Sequence, residues 1–150
     1  MLRRGVPLIA SLLLGCGGDS FTIVMNAQNN SGEDGFATLT SKGGDTTQIY
    51  LQIRRPLTQE AQQQVHIHPQ TCGEIGTIWR VLNTLQPPSV PANQVDAVPE
   101  ALRQGDDGGF LVSVTNVDAG MTLLTTNTLA INAHDAQDFA LYVSCGQIQK

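Results

Sequence analysis

Short stretches in which apolar and polar residues alternate recur along most of the chain, separated by turn-forming residues. A period of two is typical of β-strands that bury one face. In TTQIYLQI (46–53), for example, Ile49, Leu51 and Ile53 share one face and are expected to point into a core. The other predicted strands are TIVMNAQ, FATLT, VHIH, a strand around Trp79 in GTIWRVLNTL, FLVSVTN, TLAINAH and ALYVSCGQI.

The pattern contains no convincing amphipathic helix. DAGMTLLTT (118–126) fits either a strand or a short helix, and VPEALRQ (98–104) could form one or two helical turns within the proline-rich region 86–109. Seven or eight short strands with frequent turns predict an all-β fold, a Greek-key β-sandwich or barrel. A chain of 150 residues suits one domain, which we expect to span 22–150.

The N-terminus has the features of a secretion signal. Arg3 and Arg4 precede the apolar run VPLIASLLLG, which is too short to span a membrane as a helix and ends at Cys16. LLGC (13–16) also resembles a bacterial lipobox, which implies removal of residues 1–15 and lipid attachment to Cys16. Residues 16–21 would then tether the domain to the cell envelope, with Gly17 favouring an outer membrane lipoprotein that faces the periplasm. A secreted protein that is cut elsewhere is the alternative.

The net charge excludes one class of partner. Without residues 1–15 the chain has 6 basic and 13 acidic residues, a formal charge of −7. Nucleic acid is not expected as a partner, because phosphate binding needs a basic surface. Contact with a membrane is expected only through the lipid anchor.

Three cysteines are an odd number for an exported protein. If Cys16 carries lipid, Cys72 and Cys145 remain, and both would lie in an oxidising compartment where a pair normally forms a disulfide. Two buried free thiols are the alternative.

The chain has three histidines, and two of them form the motif His-Ile-His. On a strand, His66 and His68 share a face while Val65 and Ile67 point to the core. His134 falls on the corresponding non-core face of TLAINAH, so neighbouring strands would bring the three imidazoles together. Imidazole ligands suit copper, zinc, iron and nickel. A polar patch of exposed histidines is the alternative.

Three stretches resemble copper–zinc superoxide dismutases. GEDGFATLT…TTQIYLQIRRPLTQEAQQQVHIHPQTC is similar to the N-terminal half of that family, in which a strand carries two copper histidines and a cysteine follows. LAINAHDAQD resembles the strand with a later copper histidine, and YVSCGQI resembles the C-terminal strand with the partner cysteine. The order H-x-H, Cys, His, Cys-Gly is the specific part. Chordin-type repeat (CHRD) domains also have HIH and a later VH strand, but they usually lack this cysteine pair and are the second choice.

The resemblance implies a superoxide dismutase-like barrel with one copper ion. His66, His68 and His134 would be the copper ligands, and a Cys72–Cys145 disulfide would tether a loop to the barrel. Asp138 has the spacing of a family aspartate that hydrogen-bonds to metal-bound histidines. A solvated loop aspartate is the alternative.

The chain also departs from that family. It has no histidine left for the copper–zinc bridge or the zinc site, so no zinc is expected. Tyr142 stands where the family has its active-site arginine, and the charged guiding loop is missing.

Three functions therefore remain open, with superoxide or copper ions as the expected partners of the first two. They are a copper-only superoxide dismutase that forms oxygen and hydrogen peroxide, a copper protein that stores, buffers or passes on the metal without turnover, and a metal-free β-sandwich lipoprotein. An arginine beside the histidines would favour the enzyme, and a methionine there would favour copper(I) handling. The candidates are Arg54, Arg55, Arg80, Arg103, Met25 and Met121.

Overall fold

The structure, a computed structural model, describes residues 18–54, 62–74, 76–88 and 109–150. These residues form eight β-strands and one short helix. The strands are β1 (Ser20–Ala27), β2 (Gly35–Ser41), β3 (Thr47–Arg54), β4 (Val65–His68), β5 (Arg80–Val81), β6 (Phe110–Val117), β7 (Leu129–His134) and β8 (Tyr142–Ile148), and the helix is α1 (Met121–Thr126). The predicted signal peptide, Cys16, Arg55, Arg103 and the stretch 98–104 lie outside the described residues.

The eight strands pair in antiparallel fashion in one sheet with the order β5-β4-β7-β8-β1-β2-β3-β6. The sheet curls until its edge strands, β5 and β6, approach each other. The segment after β5 forms the seam, where Gln86 pairs with Val112 through an isolated β-bridge. The Asn83 amide donates to the carbonyl of Val114 at 2.6 Å, and the Ser113 hydroxyl donates to the carbonyl of Asn83 at 2.7 Å.

With the seam included, strands β4 to β7 follow the order 7-4-5-6 around the wall, which is the Greek-key arrangement. The prediction of an all-β Greek-key barrel with seven or eight strands is therefore confirmed. The first strand begins at Ser20, two residues before the predicted start of the domain.

The core lies inside the barrel and is built from the apolar positions of the alternating strands. Ile49, Leu51 and Ile53 all lie in it, as their spacing predicted. So do the apolar residues that alternate with the histidines, namely Val65, Ile67, Leu129, Ile131 and Ala133.

Strands β4 and β7 differ from the expected pattern because they are buried on both faces. The histidines do lie on the non-core face, yet His66, His68 and His134 are only 2%, 2% and 3% exposed. Two segments, 69–79 between β4 and β5 and 135–141 between β7 and β8, make contacts with these side chains from outside the barrel. The alternative of an exposed polar patch is therefore wrong.

The two elements that the sequence left least certain are both short. The ambiguous segment is helical at Met121–Thr126, where Leu124 is fully buried and the hydroxyls of Thr125 and Thr126 bond to carbonyls one turn earlier. The strand expected around Trp79 shrinks to Arg80–Val81, which pairs with β4.

Candidate metal centre

The pairing of β4 with β7 brings the three histidines together. His66 lies opposite Asn132 and His68 lies opposite Ala130, while the backbone N–H of His134 donates to the carbonyl of Gln64 at 2.9 Å. Each histidine offers one ring nitrogen, and these atoms all lie within 4.8 Å of one another. The sequence predicted that the three imidazoles would come together if these two strands were neighbours, and β4 and β7 are neighbours in the structure.

Backbone carbonyls fix the orientation of two of the imidazoles. Nδ1 of His68 lies 3.1 Å from the carbonyl oxygen of Gly76, and Nδ1 of His134 lies 2.6 Å from that of Phe139. A carbonyl can only accept, so both Nδ1 atoms carry the proton. A neutral imidazole with its proton on Nδ1 carries a lone pair on Nε2, the form that binds a metal ion.

The third imidazole is bonded to another histidine. Nδ1 of His66 lies 3.0 Å from Nε2 of His134. Since that Nε2 carries no proton, His66 is the donor. For His66 to bind a metal through Nδ1, its proton must move to Nε2, and the hydrogen bond between the two rings is then exchanged for coordination.

One ring nitrogen in the cluster lacks a partner. Nε2 of His68 is buried, and among the described residues nothing hydrogen-bonds to it. A buried acceptor left unpaired costs on the order of 1–3 kcal/mol. A cation bound at this nitrogen would remove that cost, whereas the hydrogen bonds within the cluster do not.

Burial favours the neutral form of two of these imidazoles, His66 and His134. The pKa of His66 is lowered to about 4, chiefly by desolvation and to a smaller extent by the nearby His134 and His68 rings. Desolvation also lowers the pKa of His134, against the opposing effect of its hydrogen bond to Phe139. Neutral rings need lose no proton to coordinate a metal at neutral pH.

The spacing fits a small transition-metal ion. Metal–nitrogen bonds of about 2.0–2.1 Å place nitrogen ligands roughly 3.3–3.6 Å apart in tetrahedral or trigonal geometry. The observed separations run from 3.0 Å, between His66 and His134, to at most 4.8 Å. Small ring rotations would therefore give the required geometry. Within the described part of the chain, the cluster contains no cysteine, aspartate or glutamate.

Two aromatic rings enclose the cluster. The Phe139 ring stacks on His134 with 4.4 Å between ring centroids and 6° between planes, and lies 5.3 Å from His66. The Tyr142 ring lies 4.7 Å from His134 and 5.9 Å from His68. Together the two rings contact all three imidazoles.

A disulfide holds the segment that supplies the Gly76 carbonyl. Cys72 and Cys145 are bonded, with 5.8 Å between their Cα atoms, which confirms the predicted pair. The backbone N–H of Cys72 also donates to the Gln147 side chain at 3.2 Å. The segment 69–79 is thus anchored to β8 on the outer face of the barrel.

The acidic residue expected beside the histidines makes other contacts. The Asp138 carboxylate accepts the backbone N–H of Ala140 at 3.0 Å, and the carbonyl of Phe139 is the group that bonds to His134. Sequence reasoning missed Phe139 and Gly76 because any residue type can supply a carbonyl, so no side-chain signal marks them.

Those candidate arginines and methionines that the structure describes lie away from the histidine cluster. Arg54 forms an ion pair with Asp34 at 3.1 Å, and the Arg80 guanidinium lies 4.2 Å from the centre of the Trp79 ring. Met25 is fully buried in the core, and Met121 is partly buried and packs against that core. None of these described contacts involves a histidine of the cluster.

Glu33 is a buried acid that the sequence gave no reason to single out, since the turn NNSGEDG looks solvated. It is 0% exposed, and one carboxyl oxygen accepts the Gln63 amide at 2.5 Å. Burial raises its pKa to about 7, with Gln63 opposing the shift and Asp135 adding to it.

Comparison of the chain with protein-family models, with curated proteins and with solved structures finds no match. Among the described residues, no helix combines the length and hydropathy needed to cross a membrane. The geometry of the three histidines and their surroundings is therefore the feature of the molecule that bears on its function.

Proposed function

We propose that this chain is a copper protein of the bacterial cell envelope, lipid-anchored at Cys16, whose three-histidine centre reacts with superoxide as the family it resembles does. The observation that carries the proposal is the unpartnered Nε2 of His68 beside two further imidazoles. A structural cluster of histidines would be expected to pair all its buried nitrogens, because native proteins satisfy nearly all buried polar groups.

The donor set favours copper over zinc. Zinc centres are tetrahedral and add a fourth protein ligand or a water to three histidines. Among the described residues the cluster offers three nitrogens, and its flanks are the rings of Phe139 and Tyr142. Three imidazoles are sufficient for a trigonal copper(I) ion.

The disulfide supports the proposed location. A bond between Cys72 and Cys145 is stable in an oxidising compartment and is rare in the cytosol. This agrees with the signal sequence and lipobox expected from residues 1–16. Cleavage before Cys16 and lipid attachment to its side chain are part of the same proposal.

The second candidate function is a copper protein that holds or passes on the metal without turnover. The two segments that cover the histidines, 69–79 and 135–141, carry Glu74, Asp135 and Asp138 and no lysine or arginine. Acidic residues attract a copper cation and repel the superoxide anion. This charge pattern favours loading of metal more than rapid reaction with an anion.

The test combines copper content with the rate of superoxide consumption. The chain from Gly17 onwards is exported to the periplasm, purified, loaded with copper and freed of excess metal. One copper per chain with turnover well above that of free copper supports the enzyme, and one copper with negligible turnover supports copper holding. Absence of bound copper overturns the copper proposal.

Substitution of the ligands provides the matched control. We expect His66→Ala and His134→Ala each to abolish stoichiometric copper binding, because either change leaves two nitrogens. Gln48→Ala, on the outer face of β3, should bind one copper like the parent. Circular dichroism and the oxidised state of Cys72–Cys145 report whether the fold is kept. Unchanged copper content in either histidine variant would contradict the site.

A further inference from the structure

We propose that Phe139 and Tyr142 make this centre selective for the reduced ion, so that it holds copper as copper(I) at rest. The inference rests on the proposed copper centre and concerns the oxidation state that the surrounding residues favour. Three observations carry it: the charge of the donors, their burial, and the position of the two rings.

The donors are neutral and the site is dry. Three imidazoles contribute no negative charge, so the centre keeps the full charge of the ion, one unit for copper(I) and two for copper(II). The cost of moving an ion from water into a protein interior rises with the square of its charge. With ligands only 2–3% exposed, this cost weighs about four times more heavily on copper(II).

The number of ligands also favours copper(I) over copper(II). Copper(II) prefers a tetragonal arrangement of nitrogen and oxygen ligands, which three histidines cannot complete. Water would have to supply the rest. The Phe139 ring lies flat on His134 and reaches His66, and the Tyr142 ring reaches His134 and His68, so apolar ring surface borders all three imidazoles.

Phe139 has two separable roles. Its carbonyl fixes the tautomer of His134, and its ring stacks on the same imidazole, although the residue as a whole is 47% exposed. Phe139→Ala removes the ring and keeps the carbonyl. The variant therefore admits water to the cluster without removing a ligand or the hydrogen bond that orients one.

The experiment measures the affinities for both oxidation states in the purified full chain. Copper(I) is titrated under ascorbate against a chromophoric copper(I) chelator, and copper(II) is titrated in air against a copper(II) chelator. Paramagnetic resonance counts the copper(II) that is bound. We expect the parent to bind copper(I) more tightly and to show little copper(II) signal once ascorbate has been added and removed.

Substitutions test whether the preference for copper(I) comes from the rings of Phe139 and Tyr142. In Phe139→Ala and in Tyr142→Ala we expect the ratio of copper(I) to copper(II) affinity to fall about tenfold, which lowers the potential of this one-electron couple by about 59 mV. Tyr142→Phe keeps the ring and should match the parent. Phe36→Ala removes a ring that packs on Tyr50 of β3, outside the histidine cluster, and should also match the parent.

Two results overturn the inference while leaving the copper centre in place. One is equal or tighter binding of copper(II) by the parent, and the other is an unchanged affinity ratio in both alanine variants. Failure of the parent to bind copper in either state is a different result, because it overturns the proposed function itself.

Discussion

The Glu33 carboxyl group is buried in the folded chain, so its ionisation is linked to stability. Its pKa is raised from 4.5 to about 7 in the fold. The folded state therefore holds the proton more tightly than the unfolded state. The resulting stability is fully present below pH 4.5 and is lost as the pH rises through about 7.

We expect Glu33→Gln to remove this loss, because an amide cannot ionise. Above pH 7 the variant should be more stable than the parent by on the order of 3 kcal/mol, and near pH 4 the two should differ little. Urea unfolding midpoints on either side of this range measure the difference. Glu74→Gln, at an exposed acid, is the control, and equal midpoints for parent and Glu33→Gln in the alkaline range would contradict the argument.

The proton positions in the histidine cluster lead to a second prediction. Without copper, long-range nitrogen–proton correlation spectra should place the proton on Nδ1 of His66, His68 and His134, because each of these atoms is a donor. On loading with copper(I), His66 alone should move its proton to Nε2. A proton on Nε2 of His134 before loading would contradict the assignment.

At the residue scale the sequence identified the groups that are rare and chemically distinctive. The three histidines, Cys72 and Cys145 are such residues. Strand alternation predicted one cluster on condition that the two strands are neighbours, and the expectation of an oxidising compartment predicted the disulfide. Glu33 does not stand out, because the turn that contains it resembles any solvated turn.

At the scale of elements, alternation predicts a strand well where one face meets solvent. It identified β1, β2 and β3, whose outer faces are at least partly exposed. It placed the core side of β4 and β7 correctly and missed that their outer side is buried, because that burial depends on where segments 69–79 and 135–141 fold. It overestimated β5, which hydrogen-bonds to β4 over only a short length.

The disulfide-anchored segment 69–79 gives a prediction at this scale. Replacing both Cys72 and Cys145 by alanine should lower stability by about 4 kcal/mol, the entropic value for a closed loop of this length. Copper affinity should fall by about 10–100-fold, as is usual when a group that orients a metal ligand is lost, because the Gly76 carbonyl is no longer held beside His68. Chemical denaturation and chelator competition measure the two effects separately. Loss of stability with unchanged copper affinity would mean that the Gly76 contact does not depend on the disulfide.

At the scale of the whole molecule, the barrel closes at the seam between the segment after β5 and strand β6, and pairing of regular strands alone does not complete this closure. The strand pattern predicted a barrel or sandwich, and it could not predict the seam because Asn83 and Ser113 act there through side chains outside the ladder of paired strands. Asn83→Ala should lower stability by about 1 kcal/mol, the usual net value of one hydrogen bond.

Hydrogen exchange locates that effect. Amides of β6 should exchange faster in Asn83→Ala, while those of β1 and β2 should be unchanged. Thr38→Ala, which removes a hydroxyl contact with Thr22 between β1 and β2, is the reciprocal control. Faster exchange throughout the barrel in Asn83→Ala would mean that the seam does not open independently.

The two groups that orient His68 and His134 are both main-chain carbonyls, and this affects how the site can be inherited. No side-chain replacement at position 76 or 139 deletes the acceptor itself, so both carbonyl contacts persist as long as the path of the chain is kept. Related proteins should therefore share three histidines, a disulfide and the lengths of two loops, with little identity between them. A search for distant relatives would do better with those spacings than with the letters around them.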